Sequence, residues 1–306
     1  MARPRPNFDY GNARLRVRKA ALLDRADYVR LLDHDVDRLL GVLADGPYGA
    51  DLHAVTDRFS GLRALHAAVS RHLARSVEEM RSFYTGSARR LVDLLLGKWE
   101  LLNLLTLVRG HATDAPAEEV LANVVWIGAL GEAAAAEVAS EPDAERAARL
   151  LVSRRLPTPA LARILARAWP TYVRTHDLAA LEQTLVTEHA RQRQEAVAAF
   201  GQAGEPLARE LEREADMHKR VATLRTDNPG EADLVALHER LENRSARAAL
   251  ALFASDDPLG IAIPIAFTAA KEAEARNLRM IGEGLACRVD KPQLGARLLM
   301  VAGAPR

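Results

Sequence analysis

Residues 32–43 read Leu32-Asp33-His34-Asp35-Val36-Asp37-Arg38-Leu39-Leu40-Gly41-Val42-Leu43. The leucines and Val36 recur at i, i+4, i+7, i+8 and i+11, which gathers them on one face of a helix and leaves the acids on the opposite face. The same periodicity runs through most of the chain. Helix starts are also legible. Thr158 before Pro159 reads as an N-cap followed by proline at the first helical position. Pro116, with Asp114 before it and Glu118 and Glu119 after it, marks a second start, and Asn228, Pro229 and Glu231 mark a third. In both of these, acids in the first turn face the positive end of the helix dipole. Strand signals are poor: aromatic residues make up 5% of the chain, and β-branched residues rarely alternate with polar ones. Val124–Ile127 is a short apolar run inside a longer pattern, and Ile261, Ile263 and Ile265 alternate around Pro264, which would remove a ladder hydrogen bond from a sheet. Both predict helix, the second kinked at its proline. The expected fold class is all-α.

Composition narrows the function. The chain has 306 residues, 49% of them hydrophobic, enough for two or three domains with ordinary cores. Lys plus Arg number 42 against 41 Asp plus Glu, a balance that does not favour a nucleic-acid partner. Cys287 is the single cysteine, so no disulfide closes within the chain. The longest apolar stretch, Pro258–Ala270, is too short to span a bilayer and contains Pro264, and the N-terminus lacks the apolar core of a signal peptide. These features predict a soluble, cytoplasmic protein without a transmembrane anchor.

Catalytic and cofactor motifs are missing from the sequence. There is no Gly-x-Ser-x-Gly elbow and no Gly-x-x-x-x-Gly-Lys-Ser/Thr phosphate cradle. His238-Glu239 opens like a zinc-protease helix, but Glu242 stands where the second histidine is needed. Asp33 and His34 lie four and three residues before Asp37, so on one helix the three could gather as metal ligands. They are better read as the polar face of the Leu32–Leu43 helix. Arg14, Arg16, Arg18 and Lys19 form a basic run that fits an anion contact, with acidic protein loops or lipid headgroups as partners, or a solvated helix.

Breaks fall at 110–115, 201–206, 226–231 and 255–258. A pattern recurs ahead of the first and third of these breaks and again ahead of Gly282–Gly284, with an acid three residues before an amide or amine: Glu100/Asn103, Asp216/Lys219 and Glu274/Asn277. That spacing puts acid and partner on one helix face. Six residues after the first two pairs stand Arg109 and Arg225; in the third, Glu283 occupies that position and Arg279 comes earlier. Gly282 and Gly284 read as the end of the third helix. The pattern predicts a three-fold structural repeat, with units at 1–110, 111–226 and 227–306. The acids and amides are suited to pinning neighbouring helices by hydrogen bonds.

Several segments together resemble one family. Tyr10-Gly11-Asn12-Ala13-Arg14-Leu15-Arg16, with Leu22-Leu23, Tyr28, Leu31-Leu32 and Tyr48, resembles the N-terminal signature of the C subunit of archaeal and bacterial V/A-type rotary ATPases, the family of the eukaryotic d subunit. Trp99-Glu100-Leu101-Leu102-Asn103 through Arg109 is similar to the family's acid-x-x-Asn…Arg motif. Lys271-Glu272-Ala273-Glu274-Ala275-Arg276-Asn277-Leu278-Arg279 resembles its Lys-Glu-x-Glu-x-x-Asn-hydrophobic-Arg block. The second segment departs from the pattern at Lys219, and the third at Glu283.

The resemblance implies a funnel of three similar helical domains around a pseudo-three-fold axis. It implies a non-catalytic rotor subunit with no cofactor, seated at the cytoplasmic face of a membrane between the central-stalk subunits and the proteolipid (c-type) ring, where it transmits torque. Glu100, Asn103, Arg109, Asp216, Arg225, Glu274, Asn277 and Arg279 are then candidates to contact stalk or ring or to brace the socket, and Arg14, Arg16 and Arg18 are candidates for an anionic or ring contact. Two other readings of the sequence are a generic α-helical adaptor of another complex, and a helical metal-dependent hydrolase built on Asp33, His34 and Asp37.

Overall fold

The computed structural model describes residues 6–226, 231–254 and 257–300. Among these the regular structure is entirely helical. In chain order the α-helices are α1 (Asp9–Lys19), α2 (Arg25–Leu32), α3 (Val36–Ala44), α4 (Gly49–His53), α5 (Gly61–Ser82), α6 (Gly86–Ala112), α7 (Ala117–Ala122), α8 (Glu132–Ala139), α9 (Ala144–Ser153), α10 (Pro159–Thr175), α11 (Leu178–Ala198), α12 (Glu205–Thr226), α13 (Glu231–Ala251), α14 (Ala262–Ala286) and α15 (Lys291–Arg297).

Side-chain caps set several of the starts. Asp24 and Asp27 form a reciprocal capping box on α2, each carboxylate accepting the other's backbone N–H at 2.9 Å. Thr158 caps α10 with Pro159 behind it, as expected from sequence. At α7 the acids Glu118 and Glu119 lie in the first turn, and Pro116 itself occupies the N-cap position. Asn228 and Pro229 lie outside the described residues.

Four local expectations need correction. The stretch 32–43 is two helices, not one. The Asp35 carboxylate accepts the Arg38 N–H at 2.8 Å and opens α3, so the chain breaks after Leu32. A short acid that bonds nearby backbone donors outcompetes helix continuation here, although Leu32, Leu39 and Leu43 all still face inward. The break also separates the acids of the suggested metal cluster: Asp33 ends α2 and pairs with Lys291 at 2.9 Å, while Asp37 lies in the first turn of α3. No three His, Cys, Asp or Glu side chains gather as a ligand set among the described residues. Second, Val124–Ile127 is not helical but a non-helical segment between α7 and α8. Third, Pro264 makes no mid-helix kink: α14 begins at Ala262, so the proline sits in the first turn, where no intrahelical N–H is needed. Fourth, Gly282 and Gly284 do not end α14. They lie inside it because a Cβ at either position would collide with Leu65 or Leu294 respectively.

The chain gathers into two compact units, the described residues of 89–215 and those of 4–88 with 216–306, called here the middle and the terminal unit. The middle unit packs α10 on α11, α9 on α10, and α7 with α8. Its core is formed by fully buried leucines such as Leu104, Leu107, Leu161 and Leu185. Each such side chain contributes about 1.5–3 kcal/mol of burial. In the terminal unit α14 is the hub, packed on α5 and flanked by α1, α2, α3, α13 and α15. A helix surrounded in this way should be apolar on every side. Residues Ile261–Ala270 are, apart from Thr268, which makes the buried polar residues Lys271, Glu274 and Asn277 the exceptions that need a physical account.

Candidate functional site

The motif helix α14 carries its polar residues into a closed network. Glu274, 3% exposed, accepts three hydrogen bonds. Its Oε1 takes the Tyr48 hydroxyl at 2.6 Å and the Lys271 ammonium, and its Oε2 takes the Leu23 backbone N–H at 2.9 Å. Lys271 Nζ also lies 3.0 Å from His72 Nε2. An ammonium can only donate, so Nε2 accepts. Nδ1 then carries the ring proton and donates to Asp51 Oδ2 at 2.9 Å. Arg75 closes the chain on Asp51 at 2.6 Å.

Burial and the Lys271 charge push the His72 pKa down to about 4, which agrees with a neutral ring. Burial and the neighbouring Glu274 charge push the Tyr48 hydroxyl far above its ordinary value, so it stays a donor. Burial pushes the Asp51 carboxyl up, but the Arg75 and His72 hydrogen bonds outweigh it and leave the acid below its usual range. The network ties α14 to α5, α4 and the link before α2. No substrate-sized space is required for any of these contacts; their chemistry is cross-linking.

Asn277 and Asn103 make the same device in different units. Asn277 Nδ2 donates to Leu299 O at 2.8 Å and its Oδ1 accepts Leu299 N–H at 3.0 Å. Asn103 Nδ2 donates to Val125 O at 2.7 Å and its Oδ1 accepts Val125 N–H at 2.9 Å. Both carboxamides are fully buried, and both clamp a residue 22 positions downstream. The clamp supplies the backbone partners that a helix would have given Val125, which is why the 124–127 run stays non-helical. Glu100, three residues earlier, lies against Gly128 at the end of that run, where φ is +102° and no other residue type is at ease. Asn103→Ala would strand the Val125 N–H, while the Val125 C=O keeps the Ile127 N–H at 2.7 Å. We expect it to lower stability by about 2 kcal/mol, read by denaturant unfolding, with faster amide exchange at 124–128. Unchanged stability and exchange would contradict the clamp.

The remaining motif residues lie apart from these clusters. Arg109 pairs with Glu182, with one bond at 2.9 Å. That hydrogen-bonded carboxylate raises the Arg109 pKa. Asp216 is exposed and bonds Arg220 at 2.7 Å, and Lys219 is exposed as well. The second motif therefore makes no buried clamp at Lys219. The side chain of Arg225 lies outside the described residues. Arg279 is half-buried and donates to Ser70 Oγ at 2.7 Å. On α1, Arg14 stacks 4.2 Å from the Phe83 ring centroid and bonds Tyr10, Arg18 pairs with Glu79, and Arg16 is exposed.

Residues that sequence reasoning gave no role include Tyr48, Asp51 and His72. Tyr48 stands in the family-like N-terminal segment, but their partners lie up to 226 positions away, so no local pattern assigns what they bind. Asn12 is another. It is buried, donates to the carbonyls of Pro258 and Gly260 at 2.9 Å, and accepts the Tyr84 hydroxyl at 2.8 Å. The available signal was the polar residue between Gly11 and Leu15 on the buried face of α1.

The described residues are helical in all their regular structure and are cross-linked by buried polar side chains. Residues 11–236 match the family described as ATP synthase (C/AC39) subunit. The chain is 28% identical to the C subunit of the V-type ATP synthase of Deinococcus radiodurans over 91% of its own length and 87% of that protein. It is 38% identical to the C subunit of the V-type ATP synthase of Thermus thermophilus over 38% of this chain and 34% of that one. It is 26% identical to the C subunit of the A-type ATP synthase of Methanosarcina barkeri over 44% of this chain and 38% of that one. The chain belongs to the ATP synthase (C/AC39) subunit family, whose members are non-catalytic subunits of V/A-type ATPase complexes. No helix among the described residues is long and apolar enough to cross a membrane.

Proposed function

We propose that this chain is the rotor subunit that couples the central stalk of a V/A-type ATPase to its proteolipid ring, transmitting torque between ATP turnover and proton or sodium transport. The observation that carries the reading is the family match across residues 11–236, joined to near end-to-end similarity with the Deinococcus protein. The buried cross-links around Glu274, Asn277 and Asn103 support it, because a part that transmits torque has to resist deformation. On this reading the chain is peripheral at the cytoplasmic face of the membrane. It would meet the ring and stalk through exposed side chains such as Arg16 and Asp216, with Arg14 and Arg18 beside Arg16 and Arg225 beyond Asp216. The buried members of the set, Glu274, Asn103 and Asn277, would brace the partner surfaces from inside, together with half-buried Glu100 and Arg279.

The identical 22-residue reach of Asn103 and Asn277 favours a structural repeat shared by the first and third motifs, with the clamp lost at Lys219; the three-fold funnel of 1–110, 111–226 and 227–306 is proposed with it. The test is capture of the central-stalk subunits and of the detergent-solubilised ring by the full chain. Binding to both is expected, and binding to neither would overturn the proposal.

A further inference from the structure

Within the middle unit, α11 sends two side chains four residues apart into the backbone of α6. His189 Nε2 lies 3.0 Å from Gly97 O; a carbonyl only accepts, so Nε2 carries the proton. Burial and the nearby Arg193 charge push the His189 pKa down to about 4, leaving the ring neutral. Arg193, 4% exposed, is held on three sides. Its Nε donates to Leu94 O at 2.9 Å, one terminal nitrogen donates to Leu95 O at 3.2 Å, and the other pairs with Glu214 on α12 at 2.8 Å. Gly97 makes room for this. A Cβ there would lie 3.2 Å from Arg193 Nε, closer than most such contacts, and 3.4 Å from His189 Nε2, at the limit of ordinary contact. A buried guanidinium is costly unless its donors are met, and here all three nitrogens have acceptors.

The two helices that Arg193 joins are also the two that carry the chain from one compact unit to the other. α6 runs unbroken through the 88/89 boundary and α12 through the 215/216 boundary. Leu94 and Leu95 lie within two helical turns of the first boundary, and Glu214 lies beside the second. We propose that Arg193 is a positioning residue for coupling: it locks α6 to α12 inside the middle unit, so that load entering either crossing helix is shared by both. The part of this that concerns load rests on the coupling function proposed above. Lysine could reach only one of the three acceptors at a time, since it lacks the planar fork of arginine.

The test uses the assembled rotary complex carrying Arg193→Met, Arg193→Lys or Glu214→Gln, with two readouts. One is hydrogen exchange of residues 94–99 and 210–216; the other is the ratio of ions moved to ATP hydrolysed. Arg193→Met is expected to speed exchange in both segments about tenfold or more and to lower the ratio, with Arg193→Lys between it and the unaltered protein. Glu214→Gln keeps the two carbonyl bonds, so it should loosen 210–216 and spare 94–99. It also carries the test if Arg193→Met does not assemble. Unchanged exchange in these variants would overturn the lock. Faster exchange with an unaltered ratio would overturn its role in coupling. Omitting the whole chain tests the coupling function separately: an unaltered ratio without the chain removes that function whatever Arg193 does.

Discussion

Replacing Glu274 by leucine is expected to lower the stability of the terminal unit by about 3–5 kcal/mol, the range for breaking a buried ion pair from one side. The substitution leaves the Lys271 ammonium 6% exposed with only His72 to accept from it. It also removes the acceptor of the Tyr48 hydroxyl and of the Leu23 N–H. For a unit of this size the loss corresponds to a fall in melting temperature of roughly 10 °C. Thermal unfolding followed by calorimetry checks it. The double variant Lys271→Met with Glu274→Leu should lose less than Glu274→Leu alone, because the stranded charge is gone. A shift below about 2 °C for the single variant would mean that the network contributes nothing to stability.

Mild acid is expected to weaken both units. His72 and His189 are held neutral, with pKa values near 4 against an ordinary 6.5. Between those values the unfolded chain binds a proton at each site and the folded chain does not. Stability is therefore full above pH 6.5 and falls as the pH drops toward 4. Each histidine accounts for about 3 kcal/mol over that window, to order of magnitude. Asp51 adds to the loss at still lower pH. Its carboxyl is depressed in the fold, so its contribution is present above the unfolded value of 3.8 and disappears as the pH falls through the folded one. Urea unfolding at pH 7, 5.5 and 4.5 reads the slope. His72→Gln should flatten the part that belongs to the terminal unit, and a flat profile for the unaltered protein would contradict neutral, buried rings.

The helical class and the chemistry of the motif helices were legible in the sequence because they depend on local spacing. Acid and amide three residues apart do share a face at Glu100/Asn103 and Glu274/Asn277. What each asparagine clamps was not legible. Val125 and Leu299 lie 22 residues downstream, and the Val124–Ile127 run carries the same apolar signature as a helix. Its non-helical path is set by the Asn103 carboxamide, a tertiary effect that no window of neighbouring residues contains. The break at Asp35 is a different case. The cap signal was present in the sequence, but the apolar spacing of Leu32 and Val36 masked it. Asp51, His72 and Lys271 meet across 21 and 199 residues, a separation at which only the folded chain shows the relay. The glycines of α14 misled for a related reason: an end signal and a close-packing signal use the same residue.

The central claim is that this chain couples ATP turnover to ion movement without catalysing either. The most direct measurement compares ion transport and ATP hydrolysis in membranes bearing the V/A-type complex assembled with and without the chain. Hydrolysis that continues without ion movement when the chain is absent, with transport restored when it is added back, is the result expected. Transport that proceeds undiminished in its absence would contradict the claim.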